Sequence, residues 1–348
     1  MQRRTCKTVH AGAVVIGGNS PVSVQSMLCA PAHDIAANLE QAYRLRDAGC
    51  SIIRAAVPDF EAVRLVERLT EVGLPVVADI HFDYRLAIES VAAGADKIRI
   101  NPGNIGGDDR VRAVAAACAA RSVPIRIGVN SGSIEREILA KYGRPTPQAM
   151  CESAMRHVAI LNKFDFDDIV ISLKSSDVPT MVEAYTLLAE QCDYPLHLGV
   201  TESGAGVDGI IKSAVGIGTL LMRGIGDTIR VSLTDDPVKE VEAGYAILRA
   251  AGLYSGGVQI ISCPTCGRTK IDLISLYEQA KSRLAGVNKP LKVAIMGCAV
   301  NGPGEAREAD IGIAGGDGDG LLFKKGKILR KIPEQRLLDE LMIEIEKM

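Results

Sequence analysis

Short runs of β-branched and aliphatic residues alternate with longer amphipathic stretches eight times across the first 250 residues. In the stretch 59–73, for example, Val63, Val66 and Leu69 recur every three residues while charged residues take the positions between them, and this pattern predicts a helix ending at Gly73. The apolar runs predict strands at 22–27, 51–57, 75–80, 97–101, 124–129, 169–173, 195–200 and 228–233. Eight strand–helix units indicate an α/β protein built on a closed (β/α)8 TIM-type barrel rather than an open sheet.

The rhythm changes after Gly252, where a Tyr-Ser-Gly-Gly segment at 254–257 is typical of a linker. The remaining residues predict a strand at 258–262, a helix at 270–284, a strand at 291–296, a hairpin around 315–320 and a closing helix from Pro333. The sequence therefore predicts two domains, a barrel over residues 1–253 and a smaller α/β domain over residues 254–348.

Composition narrows the function classes. The 40 Lys and Arg residues against 42 Asp and Glu residues give a net charge of −2, which offers no broad basic surface for nucleic acid or for an anionic membrane. No apolar stretch is long enough for a signal peptide or a membrane span. Nine cysteines in a chain too long to need disulfide bonds are expected to be thiols or metal ligands, so we expect a cytoplasmic protein.

Charged side chains cluster where the predicted barrel strands end, which is where active sites of such barrels lie. A single arginine there is commonly a surface ion pair. Five or six cations that converge on one concave site repel each other and need an anion, and arginine matches phosphate oxygens well. The pattern predicts a phosphorylated substrate, in particular a diphosphate. The residues expected at this edge are Arg54, Asp79, His81, Arg99, Asn101, Arg126, Asn130, Lys174, His197, Glu202, Arg230 and Ser232.

A G-x-G-x-x-G pattern at 204–209 also follows a predicted strand and opens a helix. A dinucleotide site would need an acidic residue at the end of the next strand, but Asp227 precedes that strand. We therefore interpret the segment as a helix N-terminus beside the barrel mouth, whose backbone N–H groups suit phosphate.

Three thiols and a carboxylate lie in the turns after two strands of the second domain. Cys263 and Cys266 form a C-x-x-C pair after the first strand, and Cys298 begins a glycine- and proline-rich loop that ends at Glu305 after the next. A redox dithiol would not need the third cysteine, and structural zinc would favour a fourth thiolate or an imidazole, whereas all five histidines lie in the first domain. An iron–sulfur cluster with one unusual ligand is the third alternative, and the spacing leaves all three open.

Six segments together resemble one enzyme family. They are VVADIHF at 76–82, KIRINPGN at 97–104, RIGVN at 126–130, LHLGVTE at 196–202, SCPTCGR at 262–268 and CAVNGPGE at 298–305. Over almost its whole length the chain resembles the 4-hydroxy-3-methylbut-2-enyl diphosphate synthases, in their shorter two-domain form. It departs from them at 28–32, where Leu-Cys-Ala-Pro-Ala stands in place of a Thr- and Asn-rich segment.

The resemblance implies a reaction, a cofactor and partners. Members open the ring of 2-C-methyl-D-erythritol 2,4-cyclodiphosphate and remove a hydroxyl to give the linear allylic diphosphate, with two electrons from reduced flavodoxin or ferredoxin. They hold a 4Fe-4S cluster, here implied at Cys263, Cys266, Cys298 and Glu305. They are homodimers in which the cluster domain of one subunit covers the barrel of the other.

The resemblance also implies roles for barrel residues. It assigns the diphosphate to Arg54, Arg99, Arg126, Lys174 and Arg230 with Ser232, and it makes Glu202 the acid near the departing hydroxyl. It assigns substrate orientation to Asp79, Asn130, His197 and Asn301. Oxygen is a harder and more exchangeable ligand than thiolate, so a carboxylate at position 305 would leave one iron open to substrate. The rivals are a phosphate-binding barrel with a structural metal module and a transferase barrel, and iron against zinc content separates them from the redox enzyme.

Overall fold

The computed structural model of the chain describes residues 2–287, 289–299, 304 and 306–348. These residues form two compact units that divide between Tyr254 and Ser255. No helix in these described ranges combines the length and apolar character that crossing a membrane requires.

Eight parallel strands form the barrel of the first unit, and each predicted strand is confirmed. The strands are β3 (Ser23–Met27), β4 (Ile52–Ala56), β5 (Val76–Asp79), β6 (Lys97–Ile100), β7 (Ile125–Asn130), β8 (Ile169–Lys174), β9 (His197–Leu198) and β10 (Thr228–Ile229). They pair in the order β8-β7-β6-β5-β4-β3-β10-β9, and a parallel bridge between Ile171 and Leu196 joins the two ends of this order.

Helices alternate with these strands and surround them. Two predicted helix starts are confirmed, since Thr146 accepts a hydrogen bond from the Ala149 N–H and Asp236 accepts one from the Val238 N–H. Gly73, in the left-handed region at φ 79°, ends the segment that was predicted to stop there. The helices are α1 (Ile35–Asp47), α2 (Val63–Leu69), α3 (Tyr84–Ala92), α4 (Asp108–Ala120), α5 (Arg136–Tyr142), α6 (Pro147–Asn162), α7 (Val178–Gln191), α8 (Gly206–Met222) and α9 (Pro237–Ala250).

An N-terminal hairpin that the sequence pattern did not predict covers the floor of the barrel. It consists of β1 (Thr8–Ala11) and β2 (Val14–Gly17), which pair antiparallel. Its buried side chains pack against inward-facing residues of three barrel strands, and this cluster is separate from the main core between strands and helices. The cluster contains Val9, Ala11, Ile16, Ile52, Val77 and Val170.

Above this apolar floor the barrel interior is polar. Successive strand residues face opposite sides, so alternate positions point inward and the pairing register sorts them into layers. One layer contains Arg54, Arg99, Ser172 and Arg230, the layer beneath it contains Gln25, Val77, Arg126 and His197, and the lowest contains Ile52, Lys97, Val170 and Thr228. Barrels of this class usually fill these layers with branched apolar side chains, so the cationic interior is the feature that needs a functional explanation.

The second unit is a five-stranded sheet in the order β11-β12-β13-β14-β15. Strands β11 (Val258–Ser262), β12 (Leu291–Met296) and β13 (Ile311–Gly315) are parallel, and β14 (Asp319–Lys324) and β15 (Lys327–Pro333) extend the sheet antiparallel. Helices α10 (Leu273–Leu284) and α11 (Leu337–Glu346) contribute apolar side chains to its core. The predicted hairpin is confirmed, but β15 was missed, and the closing helix begins at Leu337 because Pro333 still belongs to this strand.

Candidate active site

Asp79 is the centre of the charge network in the barrel. Its carboxylate lies 2.6 Å from the guanidinium of Arg54 and 3.4 Å from that of Arg99, and the imidazole of His81 lies 3.5 Å away. Burial alone would raise the pKa of this carboxyl, but Arg54, His81 and Arg99 together hold it well below the ordinary value. Asp79 is therefore an ionised partner of the arginines that the sequence predicted beside it.

Arg126 and Lys174 have no carboxylate partner among the described residues. Ser172 accepts a hydrogen bond from Arg126 at 2.6 Å, yet the Nε and second terminal nitrogen of that guanidinium remain buried and unbonded. Burial, together with Arg230, Arg126 and Arg54, lowers the pKa of Lys174 well below its usual value. A buried cation without a nearby negative charge destabilises the folded protein, so these side chains favour the binding of an anionic ligand.

His197 lies inside the same network and is fully buried. Neither ring nitrogen has a hydrogen-bond partner within the described part of the chain. Burial, followed by the charges of Arg126 and Lys174, lowers the pKa of the imidazole well below its usual value. A neutral imidazole has one donor and one acceptor nitrogen, which suits a hydroxyl-bearing ligand.

Lys97 is a member of this cluster that the sequence analysis did not select. It is 0% exposed, its Nζ has no hydrogen-bond partner among the described residues, and burial followed by the charges of Arg126 and Arg54 lowers its pKa to about 7. The signal was present in the alternation of Lys97-Ile98-Arg99-Ile100, because the lysine must face the same side of the strand as Arg99.

Arg230 differs from the other cations because a carboxylate orients it. Glu240 on α9 lies 3.1 Å from the Arg230 guanidinium and also accepts hydrogen bonds from the Ser26 hydroxyl and the Leu233 N–H, at 2.8 and 3.0 Å. This buried glutamate was also missed, because a helical Glu four residues after a helix cap looks like a surface residue in sequence. Ser232, predicted beside Arg230, is half-buried, and its carbonyl accepts a hydrogen bond from Ser203.

Gly199 provides space beside these cations. A Cβ at this position would lie 2.7 Å from the carbonyl oxygen of Arg230 and 3.0 Å from Nζ of Lys174. A side chain at position 199 would therefore displace the Lys174 ammonium or the backbone of Arg230. The glycine follows directly from β9, so its backbone forms part of the inner wall near the strand ends.

Glu202 lies in the loop after β9 and is exposed. Its backbone adopts the left-handed conformation, with φ 52°, and its carbonyl accepts a hydrogen bond from Lys212 at 3.2 Å. A non-glycine residue in this region is strained, and such strain concentrates at functional loops. The described residues of the barrel provide no apolar cover for this carboxyl, although an acid that stays protonated needs such cover.

The remaining barrel residue of the predicted set is Asn130, at the end of β7. It is half-buried, and its carbonyl accepts a hydrogen bond from Ser133 at 3.2 Å. The segment at 204–209 opens α8 as predicted, with Gly204 and Gly206 at positive φ.

The three predicted thiols follow adjacent parallel strands of the second unit. Cys263 comes directly after β11, Cys298 comes two residues after β12, and the Gly297 N–H donates a hydrogen bond to Sγ of Cys263 at 3.2 Å. Cys298 is buried, whereas Cys266 is exposed. The backbone N–H and side chain of Arg268 lower the pKa of the Cys266 thiol. Asn301 and Glu305, the other two predicted residues of this edge, lie outside the described residues.

The chemistry of the donor set fits an iron–sulfur cluster. Within the described ranges, no three His, Cys, Asp or Glu side chains converge on a point where one ion could bind. A cluster does not require such convergence, because each of its ligands binds a different iron. Thiols at one sheet edge and a backbone N–H directed at a sulfur are features of cluster sites, so the residues present fit that group.

Comparison with known proteins agrees with both units. The family model described as GcpE TIM-barrel domain matches residues 6–245, and the one described as GcpE protein C-terminal domain matches residues 259–347. The chain belongs to the GcpE family.

Curated relatives match this GcpE-family chain from end to end. Proteins named 4-hydroxy-3-methylbut-2-en-1-yl diphosphate synthase (flavodoxin) include that of Caldanaerobacter subterraneus subsp. tengcongensis, 58% identical over 99% of this chain and 98% of the relative. The protein of that name from Clostridium acetobutylicum is 56% identical over 100% of both chains. The one from Geobacillus thermodenitrificans is 52% identical over 100% of this chain and 93% of the relative.

Solved structures with a similar fold are far more distant in sequence. The N-acetylneuraminic acid synthetase of Leptospira borgpetersenii has a TM-score of 0.52 at 13% identity, over 82% of this chain and 100% of that one. The phospho-2-dehydro-3-deoxyheptonate aldolase of Thermotoga maritima has a TM-score of 0.52 at 12% identity, over 71% of this chain and 74% of that one. At such identities the likeness concerns the barrel fold alone.

Proposed function

We propose that the protein is the reductive synthase that its relatives' names describe. It takes up 2-C-methyl-D-erythritol 2,4-cyclodiphosphate and releases 4-hydroxy-3-methylbut-2-enyl diphosphate as an isoprenoid precursor. The overall step consumes two electrons and two protons and releases one water. The observation that carries the proposal is the buried cation cluster: Lys97 and Arg126 hold unbonded nitrogens, and Lys174 has no carboxylate partner among the described residues, so the cluster needs a multiply charged anion.

The barrel cations bind the diphosphate in this proposal. Arg54 and Arg99 are oriented by Asp79, and Arg230 is oriented by Glu240, so their guanidinium groups are held in place before substrate arrives. Arg126 and Lys174 supply the charge that no protein carboxylate offsets. Asn130 and the neutral ring of His197 orient the hydroxyl-bearing carbons, and Ser232 assists Arg230 at the rim.

Glu202 supplies the proton to the hydroxyl that leaves as water. Its loop begins after β9, the strand that carries His197, and places it four residues beyond the end of that strand. The carboxyl must be protonated to act, and it is exposed in the barrel. We therefore place a second subunit of the homodimer over it, so that the apolar cover comes from the partner. General acid catalysis of this kind contributes about 10²–10⁴-fold to the rate.

In this proposal Cys263, Cys266, Cys298 and Glu305 would hold a 4Fe-4S cluster, and Asn301, which lies between Cys298 and Glu305 in sequence, would contact the substrate. When bound, the cluster supplies electrons and a Lewis-acidic iron. The Gly297 N–H that donates to Cys263 stabilises the thiolate form of that ligand. The printed names of the relatives support reduced flavodoxin as the donor, with ferredoxin as the alternative, and we place the enzyme in the cytoplasm.

Anaerobic purification tests the proposal. We expect a brown protein with about four iron and four sulfide per chain that converts the cyclic diphosphate when reduced flavodoxin is supplied. Cys298→Ser is expected to lose the colour and turnover while the barrel keeps its affinity for inorganic pyrophosphate. Tightly bound zinc without iron would contradict the cluster, and an iron-loaded protein without affinity for diphosphates would contradict the substrate.

A further inference from the structure

His157 connects the loops that follow two neighbouring barrel strands. It lies on α6 and is buried, with 3% of its side chain exposed. Its Nδ1 accepts a hydrogen bond at 3.1 Å from the N–H of Gly103, in the loop after β6. Its Nε2 lies 3.1 Å from Oε1 of Glu135, in the loop after β7. One imidazole thus spans two segments that are separate in sequence.

The contacts fix the protonation of this ring. Because a backbone N–H donates to Nδ1, the neutral ring carries its proton on Nε2, the nitrogen that lies 3.1 Å from the Glu135 carboxylate. Burial alone would raise the pKa of Glu135, but the His157 and Ser153 side chains lower it to about 2. The carboxylate is therefore ionised and is the natural partner of an imidazole N–H.

The backbone of Gly103 packs directly against the imidazole ring of His157. A Cβ at Gly103 would lie 2.7 Å from Cε1 of His157, so only glycine permits this approach. The backbone of Gly103 is held in a single turn of 3-10 helix at 102–104, which begins directly after Asn101. Movement of the His157 ring would therefore move the first turn of this loop.

Both loops begin at residues of the candidate site. Asn101 accepts a hydrogen bond from the Gly128 N–H at 2.9 Å, which joins the two strands at their ends. Arg99 lies two residues before Asn101, and Asn130 ends the neighbouring strand. The contacts of His157 with Gly103 and Glu135 form a second, outer connection between the loops that follow these strands.

We propose that His157 is a positioning residue that keeps the loops after β6 and β7 in one fixed arrangement for substrate binding. It acts through Gly103 and Glu135 and does not touch the substrate. The part of this inference that concerns substrate rests on the proposed function, whereas the part that concerns the loops stands on the described contacts alone.

The test uses four variants of the full-length, cluster-loaded protein. His157→Asn places an amide oxygen near the position of Nδ1 and keeps the acceptor for Gly103, whereas His157→Gln places its amide near Nε2 and keeps only the contact with Glu135. His157→Phe removes both contacts at similar volume. Val158→Ala is the control, because it removes buried apolar volume from the same helix without touching either contact.

Two measurements are made on folded protein. Hydrogen–deuterium exchange over 101–107 reports the Gly103 N–H, and we expect His157→Phe and His157→Gln to speed it at least about tenfold while His157→Asn stays near the parent. Steady-state kinetics should show KM raised about tenfold in His157→Phe with a smaller change in kcat, and largely restored in His157→Asn.

The outcomes separate the inference from the proposed function. Unchanged exchange over 101–107 in His157→Phe would overturn the loop connection whatever the activity. Faster exchange with an unchanged KM would overturn the link to substrate binding. If Val158→Ala raised KM and exchange as much as His157→Phe, the role of His157 would be general stability and the inference would be wrong. Should the parent itself not turn over the cyclic diphosphate, the exchange data would still decide the loop connection, and pyrophosphate affinity would replace KM.

Discussion

Arg99 lies across the backbone of Gly128 on the neighbouring strand. Its guanidinium donates a hydrogen bond to the Gly128 carbonyl at 3.0 Å, and a Cβ at Gly128 would lie 2.7 Å from its Nε. The glycine therefore permits the conformation in which Arg99 reaches both this carbonyl and Asp79.

Gly128→Ala is expected to displace Arg99 and weaken substrate binding. The added methyl group meets the guanidinium rather than open space, so we expect KM to rise about tenfold, with the affinity for pyrophosphate reduced to a similar extent. Gly132→Ala is the matched control, because a Cβ there meets no atom within 4 Å. If Gly128→Ala and Gly132→Ala bound pyrophosphate with the same affinity, Arg99 would not be a residue that binds the anion.

Asp79→Asn is expected to destabilise the ligand-free protein. It leaves Arg54 and Arg99 without their buried counter-charge, which costs about 3–5 kcal/mol of unfolding free energy. Because its folded-state pKa is depressed, the stabilisation by Asp79 is present above the ordinary aspartate pKa of about 4 and declines as pH falls below it. Urea unfolding should therefore show that the difference in unfolding free energy between parent and variant becomes smaller below about pH 4.

Pyrophosphate should restore part of the stability of Asp79→Asn, because the anion replaces the missing charge. Asp47→Asn, which alters an exposed surface pair, is the control and should change little. A melting temperature of Asp79→Asn equal to that of the control would mean that the arginines find another partner in solution.

Lys97→Met is expected to change how stability depends on pH. The unfolded lysine keeps its proton to about pH 10, but burial and the neighbouring Arg126 and Arg54 lower the pKa of the folded one to about 7. Between these values the unfolded chain binds more protons, so the unfolding free energy of the parent rises with pH, by at most about 1.4 kcal/mol per unit. The variant lacks this rise.

Chemical denaturation between pH 6 and 9 measures the effect of Lys97. The variant should be the more stable protein at pH 6 and should lose that advantage as pH rises, whereas the exposed Lys163→Met should run parallel to the parent. If the unfolding free energy of Lys97→Met also ran parallel to that of the parent across this pH range, the buried amine would have an ordinary lysine pKa.

A mixing experiment tests whether two subunits share one site. Glu202→Gln and Cys298→Ala chains are each expected to be inactive, and in a shared site their heterodimer combines one intact barrel with one intact cluster domain. Random pairing should then restore about a quarter of the parental activity per chain. Differently tagged chains verify that heterodimers form, and heterodimers without activity would show that each site is built within one chain.

The sequence predicted the barrel well because its signals are local. Each strand is a short β-branched run, and the caps at Thr146 and Asp236 mark helix starts by side chains within three residues of their partners. The floor hairpin was missed because its strands have only four residues each, with Gly12 directly after the first and Gly17 at the end of the second. Strand β15 was missed because it is almost entirely exposed, so it has no alternation of buried and polar positions.

The candidate site was predictable where a single cation closes or interrupts an apolar run. Lys174 follows the run at 169–173, whereas Arg54 and Arg126 lie inside predicted strands. The resemblance to known synthases assigned roles to all three. Lys97 and Glu240 were not predicted. Lys97 is the first residue of its strand and Glu240 lies on a helix, and charged residues are common at both kinds of position. Only the three-dimensional fold brings Lys97 close to Arg126 and Arg54, and Glu240 against Arg230. Cys263, Cys266 and Cys298 were found from spacing, but their arrangement around a cofactor is a matter of proposal.

The hairpin β1–β2 turns the barrel into a cup with a sealed base. Val9 and Ile16 fill the end of the barrel opposite the carboxyl ends of its strands. A molecule bound by the inner cations must therefore enter and leave through the opening at the carboxyl ends. In the proposed reaction, the water and the product would leave through the same opening. Whatever closes over the rim during turnover must therefore withdraw before the next cycle, and the pace of that withdrawal sets an upper limit on how fast the enzyme can work.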